Sequence, residues 1–240
     1  MSTIILVHGS WHGAWCWSDL ARRLAEKGHS VLARDLPGHG EDKTALQLLT
    51  LEGYVQSVIA TIDSVKGPVI LLGHSFGGLV ISQAAEYRAN RIQALVYLSA
   101  YLPRNGESAS DLTMQDKDSR VPSHLLFADD YSSFHINPET VEKVFYEDCG
   151  PENLMLAKSR LQPEAMGPFR EKARLTDANF GSIERIYMTT LYDHAISPEL
   201  QKKMYTLTPC EQVISLRAAH CTFVFDSEEL LSRLVQLFPA

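Results

Sequence analysis

Short apolar runs alternate along this chain with segments whose apolar residues recur every three or four positions. Six runs have the length and composition of strands: Thr3–Val7, Ser30–Arg34, Val69–Leu72, Ile92–Leu98, Arg185–Thr190 and Gln212–Leu216. Between the first two, Trp17, Leu20, Ala21, Leu24 and Ala25 fall on one helical face, and Lys27-Gly28 supplies a stop. Between the next two, Leu51, Tyr54, Val55, Val58, Ile59 and Ile62 repeat that period. A last helix is expected from Asp226, with Glu229 three residues on as a capping box, carrying Leu230, Leu231, Leu234 and Leu237. This order predicts an α/β fold: a mostly parallel six-stranded sheet flanked by helices.

The alternation stops between Pro103 and Ile183. Arg104–Arg120 is polar and charged, and short irregular pieces follow. A helix is expected from Asn137-Pro138, with proline at its first position and Val141, Val144 and Phe145 on one face; a second covers about Glu152–Leu161. A stretch of about 80 residues is too long for a connection without a role. Residues 103–183 are therefore assigned to an inserted cap, or lid, over the C-terminal edge of the sheet, where open α/β sheets bind ligands. Residues 1–102 and 184–240 form the core.

At 240 residues the chain can bury a substantial core, and 45% apolar with 21% charged residues is ordinary for a soluble enzyme. A net charge of −7 without a basic cluster argues against nucleic acid and anionic membrane surfaces as partners. No apolar run approaches a membrane span. The N-terminal Met1–Gly9 reads as a first strand, not a signal peptide. Cys16, Cys149, Cys210 and Cys221 have no metal-like or redox-like spacing, so free thiols in a cytoplasmic protein are expected. The expected partner is a small-molecule substrate; the residues leave monomer and homodimer both open.

The chemistry enters at Gly73-His74-Ser75-Phe76-Gly77-Gly78, directly after the third apolar run. In G-x-S-x-G the flanking glycines let the chain reverse tightly and hold Ser75 exposed between a strand and a helix N-terminus. The five letters are weak alone; a nucleophilic serine also needs a base, an acid and an oxyanion site. His220, in Arg217-Ala218-Ala219-His220 after the last strand, stands where the base is required. Asp193, after the fifth strand, is the acid that orients it; Asp35 would lie across the sheet. Two backbone N–H groups, of Phe76 and of Ser10 in His8-Gly9-Ser10-Trp11, are the candidate oxyanion hole. Trp11, Tyr101 and His194 are candidate pocket residues, with His8 holding its loop and His39 in a structural turn. Neither His8/His12 nor Asp193/His194 assembles a metal site, so no metal and no cofactor is expected.

Two stretches, Val7-His8-Gly9-Ser10-Trp11-His12-Gly13-Ala14-Trp15-Cys16-Trp17 and Gly73-His74-Ser75-Phe76-Gly77-Gly78, resemble the plant methylesterase and hydroxynitrile lyase branch of the α/β-hydrolase superfamily and its bacterial esterase relatives. The resemblance runs from Ile4 to Leu237 and is weakest in the cap. It implies a Ser75-His220-Asp193 triad with Ser10 and Phe76 as oxyanion hole. Cyanogenic members with this triad have threonine where this chain has Gly9, and lysine where it has Cys221. By that pattern, ester hydrolysis of a small hydrophobic or aromatic substrate is expected over hydroxynitrile lysis. Lactone or C–C hydrolysis and a slow-hydrolysing ligand receptor are the alternatives.

Overall fold

The six apolar runs pair into one sheet. The computed structural model describes residues 2–239. In it β1 (Thr3–Val7), β2 (Ser30–Ala33), β3 (Val69–His74), β4 (Ile92–Leu98), β8 (Glu184–Thr190) and β9 (Gln212–Leu216) stand in the order β2-β1-β3-β4-β8-β9. All five neighbouring pairs are parallel. With β2 on one side of β1 and β3 on the other, the β1–β3 seam is the switch point, where loops leave adjacent strands toward opposite faces and open a crevice. Gly9 follows one of these strands and Ser75 the other.

Side chains alternate across the sheet and feed two apolar layers. Ile5, Val7, Leu71, Leu95 and Tyr187 pack with α2 (Leu51–Asp63), α3 (Gly77–Arg88) and α8 (Pro198–Leu207). Ile4, Leu6, Ile70, Leu72, Val96 and Met188 pack with α1 (Ser18–Glu26) and α9 (Glu228–Leu237). The stop at Lys27-Gly28 is a left-handed glycine, φ 91°, with Gly28 N–H on Ala25 O (2.9 Å) and His29 N–H on Leu24 O (3.2 Å). The capping box expected at Asp226 does not form. The helix starts two residues later, because Ser227 Oγ donates to Asp19 (2.6 Å) and Glu229 accepts the Arg217 N–H (3.2 Å).

Between β4 and β8 lie α4 (Ala109–Gln115), β5 (Leu125–Phe127), β6 (Ser133–Ile136), α5 (Val141–Phe145), α6 (Pro151–Arg160), β7 (Glu164–Ala165) and α7 (Met166–Arg170). Two of these correct the sequence reading. The polar stretch contains α4, opened by a Ser108–Asp111 capping box, and the irregular pieces include a three-stranded antiparallel sheet, β5-β6-β7. The helix expected from Asn137 begins at Val141, since Asn137 Oδ1 takes the Glu139 N–H (3.0 Å) and holds a turn instead. The segment has no core of its own. Phe134, Ile136, Val144 and Phe145 extend one apolar layer, and Ala109, Leu112 and Leu175 the other. Among the described residues no helix is long and apolar enough to cross a membrane.

Candidate active site

Ser75 sits between β3 and α3 with φ 54°, in the left-handed region a serine enters at a cost of about 1–2 kcal/mol. Its own backbone helps hold it there: Ser75 O accepts the N–H groups of Gly78 (3.1 Å) and Tyr101 (3.0 Å). The glycines around it are required by contact. A Cβ on Gly77 would stand 2.6 Å from Val7 O, and one on Gly73 2.7 Å from Gly77 O. Gly9, across the seam, is pressed against the serine itself, where a Cβ would meet Ser75 Cβ at 2.6 Å and Oγ at 3.2 Å.

Asp193 and His220 are joined at 2.7 Å, Oδ2 to Nδ1, both buried. Three more groups donate to that carboxylate in addition to a glutamine: Thr190 Oγ1 (2.8 Å) and Gln201 Nε2 (3.1 Å) on Oδ2, and the Ala195 and Ile196 N–H groups (2.7 and 2.9 Å) on Oδ1. A carboxylate that accepts from all these donors is fixed in place as an acceptor, which sets Nδ1 as the hydrogen-bearing nitrogen of His220 and leaves Nε2 free to accept. The His220 carbonyl lies 3.0 Å from His74 Nε2, and the two rings are 4.5 Å apart, which brings His220 beside the residue preceding Ser75. Among the described residues Ser75 Oγ makes no hydrogen bond; such contacts often tighten only with substrate in place.

Neither the Ser10 N–H nor the Phe76 N–H finds an acceptor among the described residues, although both residues are buried. Buried backbone donors without partners are rare. Here two flank one serine, and Phe76 adds the N-terminal end of α3. Ser10, Trp11, Ser75, Tyr101, Val121, Phe145, Phe169, Ala195 and Ile196 line one narrow cavity of about 20 Å³. A roomier cleft of about 470 Å³ lies between the His220 loop and α9, away from Ser75.

Two of the three expected pocket residues, Trp11 and Tyr101, line the cavity with Ser75. His194 does not: its Nε2 is 2.8 Å from Glu147 at the surface, because the Asp193 turn points it outward. Asp35 is structural, its carboxylate accepting the Ala14 (2.6 Å) and Glu41 (2.9 Å) N–H groups. His39 does lie in a turn, with His39 N–H on Leu36 O (3.0 Å), and its ring reaches further than the sequence indicates. Its Nε2 is 3.4 Å from the buried Glu164 of β7, which also accepts the Tyr54 hydroxyl (2.8 Å). Burial opposes both charges, yet each sustains the other: His39 is held above its ordinary pKa and Glu164 below.

The pairs His8/His12 and Asp193/His194 do not form a metal grouping. Among the described residues, the potential ligand atoms of His74, His220 and Cys221 do lie within 4.8 Å of one another. One nitrogen of each histidine is engaged in the bonds above, His74 Nε2 and His220 Nδ1, and burial pushes the Cys221 thiol up. All four cysteines are free. Gln201, Glu164 and Tyr146 went unnoticed in the sequence, where no local pattern marks them.

The profile described as "Alpha/beta hydrolase family" matches residues 4–233. A chloroplastic Arabidopsis thaliana protein carried under the name methylesterase 13 is 32% identical over 97% of this chain, which spans 55% of that relative's length. Salicylic acid-binding protein 2 of Nicotiana tabacum is 28% identical, with 97% of this chain and 95% of the relative covered. Among solved structures, a pyrethroid hydrolase from Sphingobium faniae JZ-2 superposes with a TM-score of 0.87 at 26% identity, covering 98% of this chain and 96% of that one.

Proposed function

The chain belongs to the alpha/beta hydrolase family, and from that premise we propose that it is a serine carboxylic-ester hydrolase acting on a small hydrophobic or aromatic ester. Ser75 Oγ attacks the ester carbonyl while His220 Nε2 takes its proton. Asp193 keeps the imidazole in the required tautomer and stabilises its charged form. The carbonyl oxygen, now an anion, is received by the Ser10 and Phe76 N–H groups. Collapse of the tetrahedral adduct expels the alcohol, protonated by His220. A water deprotonated by the same imidazole then attacks the acyl-enzyme and releases the acid. Residues 103–183 act as the cap, supplying Val121, Phe145 and Phe169 to the cavity.

The observation that carries this reading is the pair of unpartnered N–H groups beside a serine in the left-handed conformation. The apolar lining favours a hydrophobic or aromatic acyl group. The names of the relatives favour a small alcohol such as methanol. Hydroxynitrile lysis is disfavoured twice: a threonine at position 9 would collide with Ser75, and the buried Cys221 offers no cation to a departing cyanide.

The test is Ser75→Ala assayed on a panel of methyl, aryl and lactone substrates. We expect kcat/KM to fall by about 10⁶-fold. Retention of most turnover would defeat the assignment, as would an initial burst that stalls, which marks a receptor rather than an enzyme.

A further inference from the structure

Two buried histidines that take no part in these proton transfers flank the Ser10 amide. His8 Nδ1 lies 2.8 Å from Gly9 O, and His12 Nδ1 lies 2.8 Å from Ser10 O. A carbonyl only accepts, so Nδ1 carries the hydrogen in both rings. Burial holds both imidazoles neutral, driving their pKa values down to about 3 and about 4, and each Nε2 is therefore an acceptor. His8 Nε2 takes the Leu36 N–H (3.0 Å), which belongs to the loop after β2. His12 Nε2 takes the hydroxyl of Tyr146 (2.7 Å), the residue after α5 in the β4–β8 segment.

The Gly9 carbonyl and the Ser10 N–H share one planar peptide, so His8 sets that plane from the sheet side. The next peptide, carrying Ser10 O, is set by His12 and hence by Tyr146. Trp11 then adopts φ 65°, a region a bulky residue occupies only when its surroundings impose it. Those surroundings also come from the β4–β8 segment. Trp11 O accepts the Gln162 N–H (2.9 Å), the indole N–H donates to Phe134 O (3.3 Å), and the ring packs against Phe134 and Phe145 at 5.6 and 5.4 Å.

We infer that the β4–β8 segment is a working part of the oxyanion site, with Tyr146 as a positioning residue that acts through His12 to keep the Ser10 N–H aimed at the reacting oxygen. The inference rests on the hydrolytic reading above. It carries a consequence for the order of events. The cavity is closed by the same segment, so any movement that admits substrate releases Trp11 and His12, and closure restores them. The oxyanion site is then complete only when the cavity is shut.

The test compares two ketones of one shape. A trifluoromethyl ketone reacts with Ser75: the Oγ–C bond forms, the carbonyl becomes an oxyanion, and the proton passes to His220. Its methyl counterpart binds without reacting. Tyr146→Phe should lower kcat and trifluoromethyl ketone affinity by the same factor, about tenfold, since small misplacements of a reacting geometry cost this much. Methyl ketone affinity, KM and melting temperature should hold. Trp11→Phe, which keeps a ring but loses the indole N–H, should shift kcat and affinity in the same direction. Wild-type kcat and ketone affinity in Tyr146→Phe would overturn the inference, as would a loss of kcat with ketone affinity intact. Failure of the hydrolase reading shows separately, as turnover that survives Ser75→Ala.

Discussion

The loops after β3 and β1 meet at one seam, and they are held in opposite ways. The Ser75 turn is shaped mainly by its own glycines, which remove side chains where backbone must pass, and by backbone bonds to Gly78, three residues on, and to Leu98 and Tyr101 at the end of the adjoining β4. The His8–Gly13 loop is shaped from a distance, by Leu36, Tyr146, Phe134 and Gln162, as many as 151 positions along the chain. A turn of the first kind is rigid once its strand, its helix and the neighbouring strand of the sheet exist. A loop of the second kind keeps its form only while its remote partners stay in place. The proposed chemistry divides along this line, with the proposed nucleophile on the self-held side and one of the two candidate oxyanion donors on the borrowed side.

After Ser75→Ala, the largest expected effect falls on the β3 side of the seam, where Asp193 follows β8. Asp193→Asn keeps the volume but places an amide against His220 Nδ1, favouring the wrong tautomer. We expect kcat to fall by about 10⁴-fold with little change in KM. The Ala195 and Ile196 N–H groups, which bond the other oxygen, keep that side chain in place, so the melting temperature should move far less than the rate. A variant with half the wild-type kcat would remove Asp193 from the triad.

Next comes the contact between the two loops. Gly9→Ala sets a methyl group 2.6 Å from Ser75 Cβ, which neither loop can accommodate without shifting. Because the serine turn is braced by its own backbone, the borrowed loop should yield and carry the Ser10 N–H with it. A displacement approaching 1 Å corresponds to about 10²-fold in kcat. Phosphonylation of Ser75 by an organophosphate, which needs the same oxyanion donors, should slow in parallel. Unchanged kcat would mean that the seam is looser than the contact distances imply.

The same division explains what was legible in the sequence. The six strands, their parallel sheet and the candidate positions Ser75, Asp193 and His220 follow from patterns that span a few residues: apolar runs, glycines at a turn, a histidine after the last strand. His194, beside Asp193, could be read as a pocket or a surface residue, because sequence adjacency does not say which way a turn throws its next side chain. In the β4–β8 segment, α4 has only Ala109 and Leu112 buried, too few to show a period, and β5 to β7 are two to four residues long. The partners Tyr146–His12 and Glu164–His39 were invisible for a different reason. A buried ion pair joining positions 125 apart leaves no periodicity in either neighbourhood.

That ion pair offers the smallest effect and the sharpest view of the junction between the two regions. Glu164 lies in the segment and His39 in the loop after β2, next to the Ser10 loop, and both are buried. The Glu164 carboxyl is held below its ordinary pKa, so its contribution is present above about 4.3 and fades as pH falls through the folded-state value. His39 is held above its ordinary value, so its contribution is present below about 6.5 and is lost as pH rises through the folded-state value. The pair therefore stabilises most between these limits, near pH 5.5. Buried His8, His12 and His74 act oppositely, gaining stability as pH rises toward 6.5, so the wild-type curve alone mixes the two trends. The difference between wild type and Glu164→Gln isolates the pair. We expect Glu164→Gln to be destabilised by about 3 kcal/mol at pH 5.5, with a gap that narrows steadily toward pH 9 as His39 loses its proton. A gap independent of pH would show that Glu164 serves through its hydrogen bond from Tyr54, with no ionic link between segment and sheet.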